Sequence, residues 1–247
     1  MQLQKRNYTK HIFDMEDVRY IDSLKDVHKN QDIWVIGAGS SMNYVDPSFF
    51  DNKITVGLNH VGVKYKTKYI VTKDLVKNGF GELPNVDNPP FNSEYIIASE
   101  WDKGGLGPSK NCDETACDLY RKYKSKFYFF KHQKSKFGDT SVINKNSSEL
   151  FLSTSTITSA VHFSGFLGAK NIIICGHDIL AIDNKLYFDE YTRKSSTGVQ
   201  DFWNKRNFKN ETMILRDIMK KEYGTNIFSL NPFIGFGLEG HSYESLK

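Results

Sequence analysis

The chain has 247 residues, 39% hydrophobic and 14% aromatic, with a formal net charge of +4. That is enough apolar mass for a packed core, which argues against disorder, and no apolar run approaches the ~20 residues of a membrane span. The mild positive balance suits an anionic substrate, whereas nucleic acid would call for a clustered basic face, so no nucleic-acid partner is expected.

Residues 1–30 read as a polar lead-in with one amphipathic helix over Met15 to Val27, and the polar opening MQLQKRNYTK predicts no signal peptide. Short, apolar, β-branched runs then predict strands near 32–37, 54–58, 68–72, 94–98, 126–131, 171–175 and 226–230. Such runs suit strands buried on both faces. The Lys-rich, aromatic stretch from Arg121 to Lys136 reads as a solvated helix end running into a strand.

Helical spacing links Ile157, Ala160, Val161 and Ser164, with Gly168 as C-cap, and links Ile214, Leu215, Ile218, Met219 and Tyr223, with Gly224 ending that helix. Strands alternating with helices predict one α/β, Rossmann-like domain over 1–247: a parallel sheet with helices on both faces. Residues 78–93 and 101–113 read as loops. The polar, aromatic and basic stretch 181–210, directly after a Gly-His-Asp strand end, reads as a lid.

In such sheets ligands bind at the carboxyl ends of the strands. Strand one ends in Gly37-Ala38-Gly39-Ser40-Ser41, a turn whose backbone N–H groups and following helix start suit a nucleotide phosphate. The full dinucleotide fingerprint is absent, Met42 and Asn43 following the serines. Strand two delivers Asn59 and His60, strand three Thr72, Lys73 and Asp74, and the strand NIIICGHD delivers His177 and Asp178.

The run STSTITS, Ser153 to Ser159, begins a helix; Ser155 and Thr156 read either as a plain N-cap or as a second anion-binding surface. Cys112, Cys117 and Cys175 have no metal-ligand spacing and point to a reduced, cytoplasmic protein, with peripheral membrane attachment left open. No P-loop, G-x-S-x-G or H-E-x-x-H occurs. Asn59 stands where a methyltransferase would want an acid.

The ordered set GAGSS, VGLNH, KYIVTKD and STSTITSAVHFSGFLGAKNIIICGHDIL resembles a superfamily of Rossmann-like transferases. Its members include bacterial lipooligosaccharide sialyltransferases, motility accessory factor glycosyltransferases and archaeal 6-hydroxymethylpterin diphosphokinase-like proteins. Shared marks of the sialyltransferases are a G-x-G-P-S turn, a C-N-Q strand end, a Ser/Thr-rich helix start and an L-G-x-x-x-I-x-x-x-G-x-D strand. The likeness spans roughly residues 32–75 and 150–232.

The resemblance implies a nucleotide-activated sugar donor of the CMP-sialic-acid kind and a glycan or other hydroxyl acceptor. It places Gly37, Gly39 and Ser41 near the phosphate, Asn59 near the nucleotide or sugar, and Ser155 and Thr156 along the donor; Ser40, Lys73 and Asp74, at the same strand ends, join them as nucleotide-binding candidates. It gives Asp178 an orienting role and, by approximate position, Tyr187 and Tyr191 the departing phosphate. The sialyltransferases use a lid histidine as general base. Residues 181–210 contain none, so either the base has moved, with His177 as the candidate, or the chemistry differs.

His177 reads equally as a structural residue, His162 as core, and His60 as the weaker candidate beside Asn59. A glycosyltransferase of this kind is expected to require no cofactor and no metal. Two alternatives stay open. One is a diphosphokinase-like enzyme holding Mg²⁺ on acids such as Asp74 and Asp178; the other is a nucleotide- or glycan-binding module without catalysis. Lid cations Arg193, Lys194, Lys205 and Arg206 suit a phosphate in either enzyme. An oligomer is compatible with the sequence.

Overall fold

The computed structural model describes residues 18–72, 91–99, 120, 122–132, 140–153, 155–178, 182–191 and 200–230, with backbone alone at 132 and 200–209. Eight strands run through them: β1 Asp32–Ile36, β2 Ile54–Leu58, β3 Thr67–Thr72, β4 Ser93–Ser99, β5 Phe127–His132, β6 Glu149–Leu150, β7 Asn171–Cys175 and β8 Asn226–Ser229. They form one sheet in the order β6-β5-β4-β3-β2-β1-β7-β8, and every neighbouring pair is parallel. Seven strands stand where the apolar runs place them. The eighth, β6, has two residues and is too short to leave a periodic signal.

Each residue of β7, and Ile33 to Ile36 of β1, is buried, as expected of strands covered on both faces. Helix α1, Thr156–Phe166, lies over β1, β2 and β3, and packs its other side on helix α2, Gln200–Tyr223. Ile157 through Phe166 are therefore all buried. The helix's buried polar residues Thr158, Ser159, His162 and Ser164 each have a hydrogen-bond partner, which burial of such groups requires. His162 fits there as the sequence expects of a core residue. Its Nδ1 accepts from Phe151 N–H (2.9 Å) and its Nε2 lies 2.9 Å from the Tyr223 hydroxyl, which donates to the Asn144 carbonyl at 2.9 Å.

The amphipathic helix expected over Met15 to Val27 is not what the described part shows. Residues 15–17 lie outside the described residues, and beyond them only a 3₁₀ turn, Ile21–Leu24, forms before Asp26 adopts a left-handed φ of 57°. The reason lies at the far end of α1. Asp26, His28 and Asn30 N–H donate to the carbonyls of Phe166, Leu167 and Gly168 at 3.1, 2.8 and 2.9 Å. A helix end leaves such carbonyls orphaned, and a run of turns over residues 25–30 satisfies them where a helix could not. Gly168, at φ 93°, is the left-handed cap the sequence predicts.

Strand order fixes where a ligand belongs. The chain steps outward from β1 to β6, then crosses through α1 to β7 on the other side of β1. The reversal between β1 and β7 is a topological switch point, whose carboxyl-end crevice is the usual binding position in open α/β sheets. Register levels the strand ends there: Ile36 pairs with Cys175 and Gly57, and Leu58 with Val71. Gly37, Gly176 and Asn59 consequently emerge on one rim. No helix among the described residues is long and apolar enough to cross a membrane.

Candidate functional site

The rim is built around the glycine turn. Gly37 N–H donates to the Cys175 carbonyl (2.7 Å) and Gly39 N–H to the Gly176 carbonyl (2.8 Å), which lashes the end of β1 to the end of β7. Gly39 then caps a 3₁₀ turn, Ser40–Tyr44. Ser41 donates from its N–H to Asp178 Oδ2 (2.6 Å) and from its hydroxyl to Asp178 Oδ1 (2.5 Å). A carboxylate thus already sits at the N–H group that the sequence reading gives to a phosphate.

The glycines also work differently from that expectation. A Cβ on Gly37 would overlap the Gly176 carbonyl oxygen. One on Gly39 would overlap the Asp178 carboxylate and come within 2.7 Å of Gly176 O. The close approach they permit within the chain is that of Gly176 and Asp178, which follow β7. Asp178 is therefore tied to the turn through Ser41. Asp178→Ala should cost about 3 kcal/mol, because it strips two charge-assisted hydrogen bonds from Ser41. Asp178→Asn, which can accept from the N–H and donate to Oγ, should lose only about 1 kcal/mol. Urea unfolding of the pair checks this, and equal losses would contradict it.

Residues 182–191 lie across the turn. Ile182 and Lys185 exchange two backbone hydrogen bonds of 3.0 Å around Asp183 and Asn184, whose φ values of 51° and 59° mark a tight primed turn. The segment is tied down by Ile182 N–H to Ser40 Oγ (3.3 Å), Phe188 N–H to the Ala38 carbonyl (3.1 Å) and Asp189 N–H to Asn43 Oδ1 (2.9 Å). The Tyr44 hydroxyl donates to Asp183, and Lys64 Nζ pairs with Glu190 at 3.3 Å. Tyr187 bridges Gly39 backbone to backbone.

This is the first part of the expected lid, and it is fastened to the turn. From residue 200 the stretch read as lid is instead the start of α2, and 192–199 lie outside the described residues. Asn43, Tyr44 and Lys64, which hold the segment, were missed by the sequence reading. Their partners are more than 100 residues away, so no local pattern could reveal them.

Two of the expected tyrosines meet here. Tyr187 and Tyr191 stack with centroids 5.2 Å apart at 28°, and Tyr191 lies 6.3 Å from the ring of His60. Beside His60, Asn59 takes a left-handed φ of 49° at the end of β2, and its side-chain Oδ1 is enclosed with no hydrogen-bond partner. An enclosed acceptor without a donor is costly, and in a native protein it calls for a ligand or a water.

At the start of α1, Ser155 is the N-cap, its hydroxyl accepting from Ile157 N–H at 3.4 Å. Ser153 and Thr158 hydroxyls bond each other at 2.7 Å, and Ser159 donates to the Phe151 carbonyl. Capping therefore accounts for Ser155, while Thr156, the first helical residue, remains half-exposed. His177 is buried, with Nε2 3.1 Å from Thr212 Oγ1 on α2, and burial lowers its pKa to about 4. Of the two roles the sequence leaves open for it, this environment is that of a packing histidine.

Lys73, Asp74, Arg193 and Lys194 lie outside the described residues, and Lys205 and Arg206 are placed only as backbone of α2. Among the described residues no three His, Cys, Asp or Glu side chains gather as a metal site.

No protein-family model matches the chain, and no curated protein sequence matches it. Among solved structures it is similar to the sialyltransferase CstII from Campylobacter jejuni in complex with a trisaccharide acceptor and CMP. That likeness has 16% identity and a TM-score of 0.45 over 87% of this chain and 84% of that one. It is also similar to the alpha-2,3-sialyltransferase Cst-I of the same organism, at 14% identity and TM-score 0.43 over 94% and 82%. A mammalian sialyltransferase shares 9% identity at TM-score 0.35 over 92% and 86%. At these values the likeness concerns the path of the chain, and the functional argument rests on the residues of the rim.

Proposed function

We propose that the chain is a glycosyltransferase that takes a sugar from a nucleotide-activated donor of the CMP-sialic-acid kind and passes it to a hydroxyl of a glycan. The observation that carries this is the enclosed, partnerless Oδ1 of Asn59 at the end of β2, whose neighbour His60 packs on Tyr191 of the stacked Tyr187–Tyr191 pair. An N–H or O–H of a nucleotide's base or ribose would satisfy it. The ordered motifs from GAGSS to GHD point to the same donor class.

In the reaction the acceptor oxygen attacks the anomeric carbon while the bond to the phosphate oxygen breaks, and the electron pair leaves with the phosphate. Hydroxyls of Tyr187 and Tyr191 would meet the charge that develops there, which is where fixed donors help most. Thr156 and the N-terminus of α1 would line the donor, Lys73 and Asp74 would border the nucleotide, and Asp178 would hold Ser41 and the turn in place. The transfer as proposed draws its charge stabilisation from these side chains and requires no metal. A pyrophosphoryl transfer would instead need acids for Mg²⁺, and Asp178, one of its two candidates, has both oxygens engaged by Ser41.

A thermal-shift panel of CMP, CDP, UDP, GDP, ADP, ATP and CMP-sialic acid, each with and without Mg²⁺, tests this. At 100-fold excess over Kd a ligand of the folded state adds about 2.7 kcal/mol, which should raise the Tm by roughly 5–10 °C. A metal-independent rise with CMP is expected. A rise confined to ATP with Mg²⁺ would transfer the assignment to pyrophosphoryl chemistry, and no rise with any ligand would defeat it.

A further inference from the structure

A glycosyl transfer needs a group to take the acceptor's proton, and the described part of the strap across the rim has no histidine to do so. Among histidines whose side chains the structure describes, three are buried. His28 is held between Gln31 and Tyr69 at 3.0 Å each, His162 between Phe151 N–H and Tyr223, and His177 against Thr212. A base has to come within hydrogen-bond reach of the acceptor hydroxyl, which rings enclosed in this way do not. His60 is different: it is half-exposed and stands on the rim itself.

Its position follows from β2. The strand ends at Leu58, Asn59 turns left-handed, and His60 becomes the N-cap of a short 3₁₀ turn, Val61–Val63. Its ring packs edge-on against Phe91 at 6.1 Å and tilted against Tyr191 at 6.3 Å, so it continues the row formed by Tyr191 and Tyr187. Tyr187 in turn pairs with Gly39. One imidazole therefore follows Asn59 directly in the chain and meets the stacked tyrosines through Tyr191.

We propose that His60 is the general base of the transfer, an inference that rests on the glycosyltransferase reading. As the acceptor oxygen forms its bond to the anomeric carbon, the unprotonated ring nitrogen of His60 takes the hydroxyl proton. The bond to the phosphate oxygen breaks and its electron pair leaves on CMP; the imidazolium then returns its proton to solvent. An imidazole suits this because its ordinary pKa lies near neutrality. The Phe91 and Tyr191 rings pack against it on the rim.

The test is CMP release from CMP-sialic acid with water as acceptor, alongside the Kd for CMP. His60→Asn should lower kcat by about 10²–10⁴-fold while the CMP Kd stays within about threefold. Unchanged turnover would overturn the assignment, and so would a loss confined to CMP affinity, which would make His60 a binding residue. A wild-type chain that neither binds CMP nor releases it from the donor would instead remove the glycosyltransferase reading beneath both. If the variant does not fold, the imidazole resonances of the wild-type protein decide. Saturating CMP should move the His60 titration midpoint upward by about one pH unit as the phosphate comes close, and an unmoved midpoint would overturn the proposal.

Discussion

Between pH 7 and pH 5 the free energy of unfolding should fall by roughly 4 kcal/mol, before carboxylates contribute much. Burial lowers the pKa of His162 to about 3 and that of His177 to about 4. Both lie below the ordinary value of 6.5, so as the pH drops the unfolded chain takes up protons that the folded one refuses. The stability from these two rings is complete above about pH 6.5 and is lost progressively as the pH falls toward the folded values. Each contributes a slope of about 1.4 kcal/mol per pH unit in that window. His28, lowered in the same direction mainly by burial, adds to it.

Urea unfolding at pH 7, 6 and 5 measures the slope. His162→Phe should reduce it by one proton's worth while lowering stability at pH 7 by about 2 kcal/mol, because the Phe151 N–H loses its acceptor. A stability independent of pH down to 5 would mean that these rings are not enclosed as described.

Most of the sheet was legible because β1, β2, β3, β4 and β7 are short and carry almost nothing but buried side chains at their carboxyl halves, so composition alone marks them. Gly168 and Gly224 marked the ends of α1 and α2 for a local reason, their left-handed backbones. What failed were segments whose conformation is set at a distance. Residues 25–31 abandon a helical pattern to cap α1, and 200–210 join α2 although their composition reads as loop. Tertiary partners decide both cases.

The site was legible in the same graded way. Strand ends announce themselves, so Gly37 to Ser41, Asn59, His177 and Asp178 were named and do emerge at neighbouring ends of β1, β2 and β7. What each one does there was not legible. The turn looks like a phosphate cradle by composition, yet the anion seated on it is the protein's own Asp178, 137 residues away in sequence. Likewise His177 and His60 both follow strand ends. Only the packing of α2, which encloses His177 with Thr212 and leaves His60 on the rim, separates the two.

Gly39→Ala should lower the Tm by roughly 6–12 °C, from the addition of one methyl group. The backbone does not demand glycine here: φ is −61° and ψ 155°, extended values open to any residue. Space is what forbids a side chain. A Cβ would stand on the Asp178 carboxylate, 2.6 Å from its Cγ, and 2.7 Å from the Gly176 carbonyl oxygen. The carboxylate could swing away only by releasing Ser41, and the carbonyl is backbone, held by Gly39's own N–H. Overpacking of this kind typically costs 1–3 kcal/mol and more where backbone must move, and ~3 kcal/mol corresponds to the stated Tm change for a chain of this size. The double variant Gly39→Ala with Asp178→Ala should be less destabilised than the sum of the two singles, since the first clash disappears with the carboxylate while the carbonyl contact persists. Strict additivity would show that Gly39 and Asp178 do not touch, and wild-type stability in Gly39→Ala would show that β1 and β7 are not lashed at this turn.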